Sequence, residues 1–359
     1  MLRFGATISG RRRAARVLAL AASALGFVAC EYPTSLPKLH PTYLLPGETT
    51  VLGVSELLPS NVTAGPASFG LTLSPAAIPS RTLASMCGMP CIAAHGRQVP
   101  KPAFDDSVST VVALPAEVLT ATVTSGTMTV ALTHNFGFDP LQPPGAAAAG
   151  WLTVRVLSGQ RVVASSTITG AFPSGTTMER TVSLQPGPVS SDFRIIVGIT
   201  SPAGGTAPEH WVTVNANATL GGTVTPGQID VAEATVRVQD RQVSVIDATL
   251  DLSGVDDDLR DRVVDGALVV ALDNPFTVTG TLQIQLTGGA APVTKTLAVQ
   301  PGASTRRVAF TEEELQLLLG HVVQLRISGT VTGENGQVTV RPDQQLGLDT
   351  KLELTVEIG

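Results

Sequence analysis

Three cysteines, five histidines and one run of aspartates are the residues of this 359-residue chain that could do chemistry. Cys87 and Cys91 stand in Met86-Cys87-Gly88-Met89-Pro90-Cys91. An exported protein meets an oxidising space, where two thiols this close form a small-loop disulfide. A redox pair is the alternative, but the spacing is C-x3-C rather than C-x2-C and no helical pattern follows. A metal site would need two more ligands, and only His95 lies close. His40, His95, His134, His210 and His321 are scattered, and none pairs with another at metal-ligand spacing. Asp256-Asp257-Asp258 with Asp261 and Asp265 suggests calcium. The loop pattern D-x-D-x-D-G is absent, however, and the acids follow a helical pattern, so a solvated helix face is expected. There is no G-x-S-x-G elbow, no H-E-x-x-H and no phosphate-cradling glycine loop. The expectation is a non-catalytic protein with no cofactor and no metal.

The third thiol, Cys30, closes a leader. Arg11, Arg12, Arg13 and Arg16 precede an apolar run from Val17 to Ala29. A basic start, an apolar run and a small residue at the cut form the layout of an export signal. The run is too short to cross a bilayer core, which needs about 20 residues. Phe27-Val28-Ala29-Cys30 resembles the bacterial lipobox, with Phe27 where leucine is usual. The resemblance implies cleavage after Ala29 and acylation of Cys30, so that the mature protein holds the membrane through acyl chains. Glu31 after the cysteine leans, by resemblance to proteobacterial sorting rules, towards the outer membrane rather than the inner.

The elements that carry these residues follow from composition. Aromatics are 4% and charged residues 14%, with 35 glycines and 25 prolines. Val and Thr favour strands, and Gly and Pro at this density punctuate them with turns. The expected fold is all-β. Removing the five leader arginines from 23 basic groups leaves 18 against 29 acidic ones. A surface this acidic repels phosphate backbones, so nucleic acid is not an expected partner. A membrane barrel would need aromatic girdles, and there are two Trp and two Tyr.

The chain also contains a duplication. Leu119–Phe136 aligns without gaps on Leu259–Phe276, offset by 140, with Val123, Gly126, Val130, Ala131, Leu132 and Phe136 matching Val263, Gly266, Val270, Ala271, Leu272 and Phe276. His134 falls on Asn274, which favours a structural turn role over catalysis. Trp151–Val156 then corresponds to Thr281–Leu286, and Gln185-Pro186-Gly187 to Gln300-Pro301-Gly302. Leu152, Val154 and Val156 alternate with polar residues, as do Leu282, Ile284 and Leu286. Alternation of period two marks strands with one buried face. The first copy has an extra loop, Pro140–Gly150. The second has helical signals at Val255, Leu259 and Val263, and a capping box at Thr311–Glu314. Two tandem antiparallel β-sandwich units are expected.

The expected divisions are a signal peptide over 1–29, a lipid-anchored Pro-rich tether over 30–60, and an irregular segment with the Cys pair over 61–106. Repeat 1 is expected over 107–225 and repeat 2 over 226–359. Leu272-Asp273-Asn274-Pro275-Phe276, followed by Val278-Thr279-Gly280, resembles the water-stress-type LEA domain, itself a β-sandwich. The first copy, Leu132-Thr133-His134-Asn135-Phe136, lacks the proline. The function expected is a membrane-anchored envelope lipoprotein with a structural or binding role. The alternative is a periplasmic carrier of lipid or another apolar ligand, held in a groove between the repeats.

Overall fold

The computed structural model describes residues 38–190 and 192–358, so the leader and Cys30 lie outside the described residues. The chain opens with β1 (Thr42–Gly53) and a 3-10 turn at Val54–Leu57, followed by β2 (Val62–Ala64), β3 (Phe69–Leu71) and β4 (Ala76–Thr82). Two short helices follow, α1 (Leu83–Cys87) and α2 (Met89–Ala93), then β5 (Gln98–Val99) and β6 (Phe104–Val112). Next are β7 (Val118–His134), β8 (Trp151–Ser158), β9 (Arg161–Ile168), β10 (Thr177–Ser183), β11 (Gly187–Val189), β12 (Phe193–Ser201) and β13 (Val212–Thr213). The long β14 (Thr219–Arg237) leads to β15 (Arg241–Asp251), α3 (Asp257–Arg260), β16 (Val263–Asn274), β17 (Val278–Thr287), β18 (Val293–Val299) and β19 (Gly302–Ala309). The chain closes with α4 (Glu312–Leu318), β20 (Val322–Gly333), β21 (Gln337–Val340) and β22 (Gln345–Val356).

The fold is all-β, and its two units share one topology. In unit 1 the strands run β10-β7-β14-β4 in one sheet and β6-β12-β8-β9 in the other. In unit 2 they run β19-β16-β22-β1 and β15-β20-β17-β18. The sequence offset of 140 survives in three dimensions, since Val123–His134 of β7 lies on Val263–Asn274 of β16. The inward faces follow the alternation: Leu152, Val154 and Val156 are buried, as are Leu282, Ile284 and Leu286. Gln185-Pro186-Gly187 and Gln300-Pro301-Gly302 are not equivalent. Gly187 pairs with Val123, whereas Gly302 pairs with Asn274, the counterpart of His134.

The units are nested rather than tandem. The first strand of unit 2 is β1, which lies in sequence before all of unit 1 and pairs with β22 from Thr42↔Thr355 to Gly53↔Gln345. Much of the expected tether is therefore sheet. Pro46 has no N–H for a ladder, and Pro46-Gly47-Glu48 reads as a break in the sequence. A bulge between Pro46 and Thr49 absorbs it on this edge strand. Glu48 then accepts the Thr249 N–H at 3.1 Å, fastening β1 to β15 of the opposite sheet.

The expected boundary at 225/226 falls inside β14. Its first half pairs with β4 and its second half with β3 and then with β21 of unit 2, while β7 flanks it on the other side. Gly222 lets β7 approach closely, since a Cβ there would stand 2.0 Å from the Ala131 carbonyl oxygen. Where the chain crosses between units, Arg241 donates to the Leu58 and Glu56 carbonyls at 2.6 and 3.3 Å and ties both crossings together. Residues 61–106, expected to be irregular, supply four strands, two helices and the start of β6. Both units therefore carry helices.

Of the two expected helices in unit 2, α4 carries the full capping box at Thr311 and Glu314. The other shrinks to one turn, α3. Val263 does not belong to it, because β22 takes its backbone into a ladder.

Candidate functional site

The two units differ most at one end of their strands. At the end of unit 1 away from unit 2, residues 135–150 join β7 to β8, whereas residues 275–277 do so in unit 2. Residues 169–176 precede β10, against 300–301 before β19. Residues 202–218 lead to β14, against 334–344 to β22. The disulfide helices and β5 add a fourth loop to the same end. The insertions are thus concentrated on one end of one copy, the place where loops on a repeated scaffold are freest to differ.

Cys87 and Cys91 are disulfide-bonded, with Cα atoms 5.6 Å apart. The bridge joins α1 to α2, helices that the sequence pattern did not announce because each is a single turn. Thr82 caps α1 through the Ser85 N–H, and Gly88 turns the chain at φ 67°. His95 Nδ1 accepts the Ala216 N–H at 3.1 Å.

Inside this end lies a polar nest that sequence reasoning missed. Lys101, flanked by prolines, is 1% exposed, as is Ser201 at the end of β12. The Lys101 ammonium donates to Ser201 Oγ and, at 2.5 Å, to the Pro202 carbonyl. The Ser201 hydroxyl in turn donates to the Pro140 carbonyl. The Phe104 ring lies 4.6 Å from Nζ. No carboxylate is among these partners. Burial pushes the lysine down from 10.5 to about 7. Such an amine could act as a base or nucleophile, but it is closed off from solvent. It ties together the chain before β6, the 135–150 loop and the start of the 202–218 loop.

His134 lies close by. Its Nδ1 accepts the Phe136 N–H at 3.3 Å, and its Nε2 meets the Phe172 carbonyl at 2.8 Å. Asn274 does the same work in unit 2, accepting the Phe276 N–H at 3.1 Å and donating to the Gln300 carbonyl at 3.0 Å. Both carbonyls precede a proline. Burial lowers the His134 pKa, while the Phe172 carbonyl and Asp139 oppose the shift. Asp139 accepts the Phe172, Leu141 and Gln142 N–H groups. His134 and Asp139 thus meet across Phe172 as braces of two loops.

The aspartate run lies in unit 2, at the opposite end of the molecule. Asp256 caps α3, Asp257 pairs with Arg260 at 2.9 Å, and Asp265 with Arg307 at 2.5 Å. Among the described residues no three His, Cys, Asp or Glu converge to hold a metal ion. Beside α3 an apolar cleft of about 430 Å³ opens between β1 and the 251–259 turn, lined by Tyr43, Leu45, Val255, Leu259, Leu354 and Val356.

No family model matches the chain, and no curated protein does. Among solved structures, a crystal structure from Parabacteroides distasonis of a protein thought to be secreted is similar over 89% of this chain and 100% of its own, at 10% identity and a TM-score of 0.37. A structure of the Gx strain of infectious bursal disease virus covers 90% of this chain and 72% of its own, at 12% identity and a TM-score of 0.20. Likenesses of this depth bear on no ligand or partner.

Proposed function

We propose that the chain is a cell-envelope lipoprotein, anchored through acyl chains on Cys30 and more at home on the outer membrane than the inner, with a binding or structural role and no catalysis. The observation that carries this is polarity. The described chain enters unit 2 at one end, where Leu39 bridges Ile358. The elaborated loops of unit 1 occupy the other end. Such a body holds its elaborated loops away from the surface to which it is tethered. The Cys87–Cys91 bridge suits an oxidising, extracytoplasmic space.

The rival reading, a carrier with a groove between the repeats, finds less support. The junction is occupied by β21 on β14 and by the Arg241 ties. The deciding experiment is metabolic labelling with an alkyne palmitate analogue, followed by envelope fractionation. The wild type is expected to label and sediment with membranes, and Cys30→Ala to do neither. A wild type that is soluble and unlabelled would sink the anchor.

A further inference from the structure

The molecule exposes its large hydrophobic side chains unevenly. Fourteen are exposed among the described residues, and seven of them belong to the strand end of unit 2 at which the chain enters. Leu39 and Ile358 form the bridge there. Tyr43 and Leu44 follow on β1, Leu259 on α3, Val264 at the start of β16 and Val322 at the start of β20. The apolar cleft of about 430 Å³ opens in their midst. A monomer in water rarely gathers this much apolar surface in one place.

We propose that this end of unit 2 rests on the lipid surface, with Tyr43, Leu44 and Leu259 dipping among the headgroups and the cleft mouth turned to the bilayer. This rests on the lipobox reading of Cys30. The occupant follows from the chain's reach. Seven residues separate Cys30 from Lys38, and the eight steps of a fully extended chain cover at most about 29 Å. Lys38 itself is held beside the patch, by its ion pair to Glu357 at 2.6 Å. Acyl chains on Cys30 therefore keep this end, and no other, within reach of the headgroups. Tyrosine suits such a boundary, with an apolar ring and a wet hydroxyl. Charge plays the opposite part. Asp256, Asp257, Asp258 and Asp261 rim the patch and outnumber its cations Lys38, Arg260 and Arg262, of which Lys38 is ion-paired to Glu357 and Arg260 to Asp257. Docking here is apolar and favours zwitterionic headgroups over anionic ones.

The test uses full-length, lipidated protein in phosphatidylcholine vesicles. An environment-sensitive fluorophore is placed at Leu44→Cys, Leu259→Cys or, as a control among the unit 1 loops, Ala148→Cys. Lipids carrying a shallow spin label serve as quenchers, and mass spectrometry reads the acyl group. The first two sites should be quenched several-fold more than the third, and less so when phosphatidylglycerol is added. With Leu44→Asp and Leu259→Asp combined, a label at Ile358→Cys should lose its quenching while the circular dichroism stays unchanged. Equal quenching at all three sites on acylated protein would overturn the docking and leave the anchor standing. Absence of the acyl mass would overturn the anchor and, with it, the docking. Labels shielded from aqueous iodide but untouched by the lipid quencher, on a protein of doubled mass, would assign the patch to a second copy and also overturn the proposal.

Discussion

Replacing Lys101 by methionine should remove a rise of stability with pH whose size can be calculated. The native ammonium is buried with two oxygen acceptors and an aromatic ring but no carboxylate, and burial pushes it from 10.5 to about 7. Unfolded, the same lysine keeps its proton up to about pH 10.5. Between those values the unfolded state binds more protons than the native one, so stability rises with pH. Below pH 7 both states are protonated and the full cost of the buried charge is present. From pH 6 to 9 the window spans about two effective pH units at 1.36 kcal/mol each, or about 3 kcal/mol. Lys101→Met keeps most of the side-chain bulk and removes the titration. Urea denaturation of both proteins at pH 6, 7, 8 and 9 isolates the effect, because every other group cancels in the difference. The variant should be the more stable at pH 6 and should lose that lead by pH 9. A difference flat across the range would mean that the amine titrates alike in both states, and the closed nest around Lys101 would be wrong.

Three further outcomes follow from the same geometry. His134→Ala should cost about 3 kcal/mol, since it strips the Phe136 N–H and Phe172 carbonyl of their partner and opens a hole between two rings. His134→Asn, which borrows the residue used by unit 2, should cost clearly less in thermal melts. Because burial lowers the His134 pKa, its stabilisation is complete above about pH 6.5 and declines as pH falls below that, a dependence that His134→Asn should abolish. Paired Cys87→Ser and Cys91→Ser should lose about 2 kcal/mol, the loop-closure value for so short a loop, read by calorimetry with and without reductant. Gly222→Ala drives a methyl into the Ala131 carbonyl and should cost on the order of 4 kcal/mol, seen as faster proteolysis within β7 or β14.

What could be read in the sequence was local. The alternation in β8, β17 and β22 and the capping box of α4 depend on neighbours a few residues apart, and each occurs where its pattern lies. The duplication survived because His134 and Asn274 solve the same problem at a strand end. What could not be read was pairing over distance. Nothing near Pro46 announces a strand, because the partners of β1 lie some 300 residues on. The 225/226 boundary failed for a related reason: β14 serves both units, so composition does not change across it. Lys101 left no trace either, since a single lysine between two prolines is indistinguishable from a surface residue until Ser201 and Pro140 close over it.

The nesting of unit 1 inside unit 2 also sets an order of events during synthesis. β1 is made before every other described strand, yet its partner β22 comes after all of them. Unit 1 has every strand it needs well before then and can mature as an inserted body, whereas unit 2 must hold an unpaired edge until β22 is made. Closing a loop of this length is entropically slow. A chain cut short before β22 would keep unit 1 and leave β1 and β16 without the strand that lies between them. Pairing of β1 with β22 thus makes the closure of unit 2 wait on a strand synthesised some 300 residues after its partner.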